Sequence, residues 1–406
     1  MIELLSPAGN LEKLEYAYKY GADAAYVGLH QFSLRARAGN IGVDDIEELK
    51  RIKGSKKLYA AINTFFHENN IVDLKNSLDE IALFPFDAFI VSDLGAAFIL
   101  KEYFGDSRSY HLSTQANTLN SAAVKAYKEL GFSRIILARE VPLKDIRKIK
   151  DQVEDVEIET FVHGSMCMAY SGRCFISAFL SDRSANQGDC SHSCRWKYSL
   201  NEHHPYALEE STRPGEYFPV FEEDGLTTIL SSKDLCMIDH LKELKDAGVD
   251  SFKIEGRMKS LYYVASVTRA YRKGIDLLEN KVSYDEFKGY RDELFNVSHR
   301  EFSTGFFFDK EQIAKPTEKE YLRDYLLIGS VGKKVKENLY ELKLKNKLTI
   351  NDEIEYIGAD ILSLDDKNFT LYDEEENSVE AVNHHQKPFI KTKVDLKEGF
   401  IIRKRL

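Results

Sequence analysis

Eight short apolar runs punctuate the first 260 residues of this chain, and between most of them lies a longer stretch with helical spacing. The runs are Glu3–Ser6, Ala24–Gly28, Lys57–Asn63, Ala88–Ser92, Ser109–Thr114, Arg134–Ala138, Glu157–Val162 and Ser251–Glu255. In LEKLEYAYKYG, Leu11, Leu14 and Tyr18 share one helical face, and Gly21 stands where a left-handed residue ends a helix. SAAVKAYKELG stops the same way at Gly131, and DHLKELKDAG at Gly248. Strand, helix, glycine, strand is the pattern of parallel βαβ units. Eight of them predict an α/β fold, a closed (β/α)8 TIM-like barrel, with an open doubly wound sheet as the alternative. Polar residues close many of the runs, among them Asn63, Asp93, Gln115, Arg139, Glu140, His163, Glu255 and Arg257. In a barrel these gather on the face where enzymes of that fold work.

The barrel domain is expected over residues 1–275, interrupted after the seventh strand by a cysteine-bearing insertion, 164–231. Residues 276–324 read as a helical and linker segment. From Leu326 on, apolar and polar residues alternate at period two between turns, which predicts a small C-terminal antiparallel β-barrel over 325–406. Its Lys343, Lys345 and Lys347 would share one strand face, and Arg403, Lys404 and Arg405 close the chain. Such stripes suit contact with RNA phosphates, and equally suit a solvated face. With 43% hydrophobic and 30% charged residues the chain can bury a core. The net charge of -10 argues against a protein coated in positive charge, though not against a local basic site. No run of about 18 apolar residues occurs, and MIELLSPAGN lacks the basic start of a secretory signal. The expectation is a cytoplasmic protein with no membrane partner.

Cys167, Cys174, Cys190 and Cys194 lie within one short window, spaced Cys-x6-Cys-x15-Cys-x3-Cys, and only Cys236 lies elsewhere. In a reducing compartment, clustered thiols point to metal or redox chemistry rather than disulfides. The spacing admits zinc and an iron–sulfur cluster alike. Cys236, between Leu235 and Met237, reads as a small buried residue on a helix. Protease motifs are missing: His67-Glu68 has no second histidine after it, and there is no Gly-x-Ser-x-Gly. A Cys–His pair involving His163 or His192 stays open.

Glu159-x-Phe161-x-x-Gly164-Ser165-Met166-Cys167, followed by Gly172-x-Cys174-x-Ile176-Ser177, resembles the signature of the collagenase-like peptidase family, peptidase family U32. LLSPAGNLEKLEYAYKYGADAAYVG and SFKIEGRMKSLYYVASVTRAYR resemble its other recurrent blocks, so the likeness runs along essentially the whole chain. NQGDCSHSCRWKY, RPGEYFPVFEEDG and SSKDLCMIDH are similar to the branch of prephenate-dependent tRNA hydroxylation proteins, which make 5-hydroxyuridine at the wobble position.

The resemblance implies a [4Fe-4S] cluster on Cys167, Cys174, Cys190 and Cys194, with Cys236 able to replace one of the last pair. It implies tRNA as partner and prephenate, a small dicarboxylate, as cosubstrate and oxygen source. Carboxylates call for guanidinium groups. The candidates for substrate binding are Arg35, Arg37, Arg139 and Arg173, with Asn63 and Gln115, while His163, Glu255 and Arg257 are the catalytic candidates. The alternatives are hydroxylation of rRNA or of a small aromatic or quinone precursor, a collagenase-like protease, and a non-enzymatic RNA-binding adaptor with a structural cluster.

Overall fold

The computed structural model describes residues 2–29, 32–33, 41–166, 171, 232–308 and 323–406, together with the backbone of four short strands between 207 and 228. Eight parallel strands form the first architecture: β1 (Glu3–Pro7), β2 (Ala24–Gly28), β3 (Lys57–Ile62), β4 (Ala88–Val91), β5 (Ser109–Leu112), β6 (Arg134–Ile136), β7 (Glu157–Ser165) and β8 (Ser251–Ile254). Each pairs with the next, and β8 pairs with both β7 and β1, Glu3 lying opposite Ser251, so the sheet closes on itself. Closure leaves these eight strands without an edge. The sequence reading placed every strand start correctly, and the ends differ by three residues at most. Gly21, Gly131 and Gly248, read as helix stops, have φ of 106°, 85° and 87°, a region that glycine enters without a Cβ clash.

The largest departure is at β7, which runs on to Ser165 because its end gains a new neighbour. Asp234–Cys236 pairs antiparallel with it, Asp234 opposite Ser165 and Cys236 opposite His163. Cys236 therefore lies on a strand, not on the helix expected for it, and is half-buried rather than buried. Three residues are too few for a periodicity to show which element they form. The next helix begins only at Leu241, after a 3-10 turn over Ile238–His240. Of the insertion, two backbone hairpins are described, Ala207–Glu209 with Tyr217–Pro219 and Phe221–Glu223 with Leu226–Thr228.

The chain divides into two compact units. One holds Met1–Tyr18, Ala22–Lys259 and Arg300–Glu320; the other holds Lys19–Gly21, Ser260–His299 and Tyr321–Leu406. Residues 260–275, drawn with the barrel on sequence grounds, thus cluster with the C-terminal unit. That unit carries an eight-stranded antiparallel sheet whose outer strands are Leu364–Asp366 and Ser378–Val379. It is a half-barrel over a core that includes Ile328, Tyr340, Tyr356, Ile390 and Ile402.

A buried ionic cluster explains the grouping. Arg403 is 1% exposed and donates to Glu293, to Glu355 Oε2 at 2.6 and 2.9 Å, and to the Tyr262 hydroxyl at 2.7 Å. Arg269, from the helix Leu261–Leu278, donates to Glu293 at 3.2 Å and to the carbonyls of Gly358 and Ile361 at 2.8 and 2.9 Å. Arg403 is therefore committed inside the unit and cannot serve in a phosphate-facing tail, while Lys404 bonds Asp352 at 2.8 Å. Lys343, Lys345 and Lys347 are exposed, as their alternation predicted.

Arg403→Met would strand two carboxylates that the guanidinium now neutralises. It should destabilise this unit by about 3–5 kcal/mol, the scale of a broken buried pair, read as a denaturant midpoint by circular dichroism. A loss under about 1 kcal/mol, typical of an exposed pair, would contradict the commitment assigned to Arg403.

Candidate active site

Beneath the barrel mouth the bore is ionic. The Lys253 ammonium donates to Glu159 Oε1 at 2.7 Å, and Arg134 donates to Glu159 Oε2 at 3.1 Å, to Glu157 at 2.8 Å and to Glu3. Tyr59 and Ser251 hydroxyls complete the Glu3 carboxylate at 2.7 and 3.1 Å. Glu159, Arg134 and Lys253 are 0%, 2% and 4% exposed. Burial works to raise the Glu3 carboxyl, but Arg134 and the Tyr59 hydroxyl hold it below its ordinary value. Burial likewise lowers the Lys253 ammonium, against the attraction of Glu159. His111 packs edge-on to Tyr59 at 4.7 Å. Burial first, then Arg134 and Lys253, push its pKa well down, which makes it a neutral imidazole.

Sequence reasoning missed this floor. The signal was available: Glu3, Arg134, Glu159 and Lys253 are charges set inside otherwise apolar strands. A charge there must find a partner in the bore, since an unpaired one is prohibitively costly.

Above the floor, the ring of Phe161 carries Lys253 at 5.7 Å and Arg139 at 4.0 Å from its centroid. Arg139, half-buried just beyond β6, is thus pre-oriented by an aromatic face. Asn63 Nδ2 donates to Ser113 Oγ at 3.4 Å, and the Gln115 backbone N–H donates to the same oxygen at 3.3 Å. The Asn63 side chain and the Gln115 backbone therefore meet at Ser113, just beyond the ends of β3 and β5. On the other side, the Glu255 N–H donates to the His163 carbonyl at 2.9 Å, just past an irregularity in the β7–β8 pairing. The His163 ring is 1% exposed and lies 5.3 Å from the Phe302 ring. Arg257 is buried, and its carbonyl accepts from Lys13 Nζ at 3.4 Å. A Cβ on Gly9 would come within 2.2 Å of that carbonyl, so the β1 and β8 ends require glycine there. Asp93 is occupied differently, as the N-cap of Leu94–Phe104, accepting from the Ala96 N–H at 2.9 Å.

The candidates thus form two rim groups, Asn63 with Gln115 and His163 with Glu255 and Arg257, and Arg139 follows the strand that lies between them. Arg35, Arg37, Arg173, Cys167, Cys174, Cys190 and Cys194 lie outside the described residues. Among the described residues no three His, Cys, Asp or Glu side chains gather as a metal site.

Sequence profiles of peptidase family U32 and of the peptidase family U32 C-terminal domain match residues 9–316 and 323–403. tRNA hydroxylation protein P of Escherichia coli K12 is 35% identical over 400 residues, covering 87% of this chain and 85% of its own. tRNA hydroxylation protein P1 of Bacillus subtilis 168 is 34% identical over 409 residues, covering 97% and 92%. The 23S rRNA 5-hydroxycytidine C2501 synthase of E. coli is 35% identical over 303 residues, covering 74% of this chain and 43% of its own. With both profiles matched along nearly its whole length, the chain belongs to peptidase family U32.

Proposed function

We propose that this protein is an RNA-modifying enzyme that hydroxylates tRNA, forming 5-hydroxyuridine at the wobble position, in the cytoplasm. The observation that carries the reading is the near full-length likeness to proteins named for tRNA hydroxylation, at 34% identity across 97% of this chain. Among the described residues no helix is long and apolar enough to cross a membrane. An anticodon loop offers unstacked bases, and a flipped uracil can enter a barrel mouth.

The finer part of the proposal is a [4Fe-4S] cluster on Cys167, Cys174, Cys190 and Cys194, with prephenate as oxygen source. Two observations fit it. Four thiols are the soft donor set such a cluster takes. The chain also enters the cysteine segment at the end of β7, where Met166 is held by Ser232, and Ser171 is held to Glu140 beyond β6. Both points lie on the face where barrel enzymes place their chemistry. When bound, the cluster supplies redox or Lewis-acid chemistry. Arg139, steadied on Phe161, binds a carboxylate of the cosubstrate. Asn63 and Gln115 orient the base from the opposite rim. Glu255 and His163, on adjacent strand ends, are the groups that would move protons at this rim.

A cysteine protease has one observation in its favour, since Cys236 stands directly opposite His163 across an antiparallel pair. Cys236→Ser separates the two readings: a protease would lose peptide cleavage with tRNA modification intact, whereas the hydroxylase shows no cleavage to lose.

Deleting the gene should abolish 5-hydroxyuridine and its derivatives in nucleoside mass spectra of tRNA and leave rRNA unchanged. Loss from rRNA alone would move the target to rRNA, which the likeness to the 23S rRNA synthase makes the nearest competitor. Arg139→Ala should raise KM for the dicarboxylate about 10-fold or more, the worth of a charge-assisted hydrogen bond, with kcat changed far less. An unchanged KM would remove Arg139 from the binding set.

A further inference from the structure

In the C-terminal unit the strands Leu339–Leu344, Phe389–Lys391 and Thr370–Tyr372 lie side by side in the antiparallel sheet. Alternation along a strand sends successive side chains to opposite sides. Tyr340, Leu342, Leu344, Leu371 and Ile390 belong to the buried core. The residues between them, Glu341, Lys343, Tyr372, Phe389 and Lys391, therefore take the outer side. On the two strands beyond, Ser330 and Ile401 stand level with Lys343 and are 0% exposed, so the outer side is covered there. It opens across the three strands, where Lys343 and Lys391 are exposed and Tyr372 and Phe389 are half-buried.

Two aromatic residues stand together on the open part. Tyr372 is directly opposite Phe389 across one pair of strands, and Glu341 is opposite Phe389 across the other. Lysines flank them. Lys391 is two residues from Phe389 in one direction, and the exposed Lys387 is two residues away in the other. The Leu342 N–H donates to the Pro388 carbonyl at 2.9 Å, which continues the pairing from Glu341 toward Lys343 and Lys387. Among the described residues the ammonium groups of Lys343, Lys387 and Lys391 form no ion pair. Lys336, Lys367 and Lys404 of the same unit, by contrast, are paired with Glu376, Glu353 and Asp352. Two carboxylates of this region, Glu341 and Glu374, accept the backbone N–H groups of Lys333 and Lys387 at 3.3 and 2.9 Å.

A cross-strand aromatic pair stabilises a sheet by itself, but it needs no cations around it, and a solvated lysine face needs no rings. Together on one open face they supply what a single-stranded nucleic acid takes: flat surfaces on which bases stack, and positive charge along the backbone. A duplex keeps its bases stacked on one another and offers the rings none. An acidic peptide would meet the lysines and leave the rings unused.

We infer that this outer face binds a single-stranded stretch of RNA, with Tyr372 and Phe389 as stacking surfaces and Lys343, Lys387 and Lys391 on phosphates. That the strand is RNA rests on the function proposed above. The test titrates the full chain into a fluorescein-labelled single-stranded RNA of about 12 nucleotides, and into its duplex, read as anisotropy at several salt concentrations. The single strand should bind more tightly than the duplex. Phe389→Leu and Tyr372→Leu keep apolar cover on the sheet but lose the ring, and each should weaken binding about 5–150-fold, the worth of one stacked base. Phe389→Trp and Tyr372→Phe should bind as wild type does. Lys343→Gln combined with Lys391→Gln should flatten the slope of log affinity against log salt by about 1.4, at about 0.7 for each phosphate. The lysine variants change exposed side chains only and keep the test open if a ring variant fails to fold. Wild-type affinity and slope in the variants, or equal affinity for the duplex, overturns the inference. So does a labelled poly-glutamate that binds as tightly as the RNA, which would make the face a site for acidic protein. The titration needs no hydroxylation, so its failure stands apart from the nucleoside analysis of the deletion strain that decides the proposed function.

Discussion

Arg134 is the side chain on which the barrel depends. From the first position of β6 it reaches carboxylates on β1 and β7, and Glu159 passes the connection to Lys253 on β8. Four of the strands that close the ring are therefore tied from inside by charges rather than by the branched apolar layers usual in such barrels. The buried charges balance, Glu3 and Glu159 against Arg134 and Lys253, which is the condition for keeping them ionised out of water. The price is rigidity: the charges of the floor are fixed by partners on neighbouring strands.

Phe161 carries that order upward. One ring sits near the Lys253 ammonium below and the Arg139 guanidinium above. A cation placed on an aromatic face keeps its donors pointed sideways and loses little freedom when it grips a carboxylate. Beside it, β7 outlasts the barrel by recruiting Asp234–Cys236, and this extension brings His163, Cys236 and the start of the cysteine segment to one rim.

The barrel was legible in the sequence because its signals are local. Each strand is a short apolar run, and three of the helices end on glycines with left-handed φ. The C-terminal sheet was legible through its alternation. What was not legible rests on pairs far apart in the chain: Arg300 with Asp234 is 66 residues apart, Glu140 with Ser171 is 31, and no spacing rule joins them. Arg403 shows the opposite error. Read locally it belongs to a basic tail, but the folded unit buries it against Glu293 and Glu355. At the rim, the Asn63 side chain and the Gln115 backbone both bond the Ser113 hydroxyl, which drew no notice because serine carries no charge to flag it.

A protein of net charge -10 that acts on a polyanion must concentrate attraction where the nucleic acid lies and keep repulsion elsewhere. The C-terminal unit sorts its basic residues accordingly. Arg403 and Arg269 neutralise Glu293 inside, and Lys404 and Lys336 are paired with Asp352 and Glu376. Lys343, on the strand Leu339–Leu344, and Lys345 and Lys347, just beyond its end, are exposed at alternate positions. Exposed ammonium groups of this kind suit the phosphates of a nucleic acid rather than its bases. Such contacts add affinity without reading sequence. On the proposed reading the choice of nucleotide then falls to the barrel mouth, where Asn63, Gln115 and Arg139 offer amide and guanidinium groups that a lysine does not.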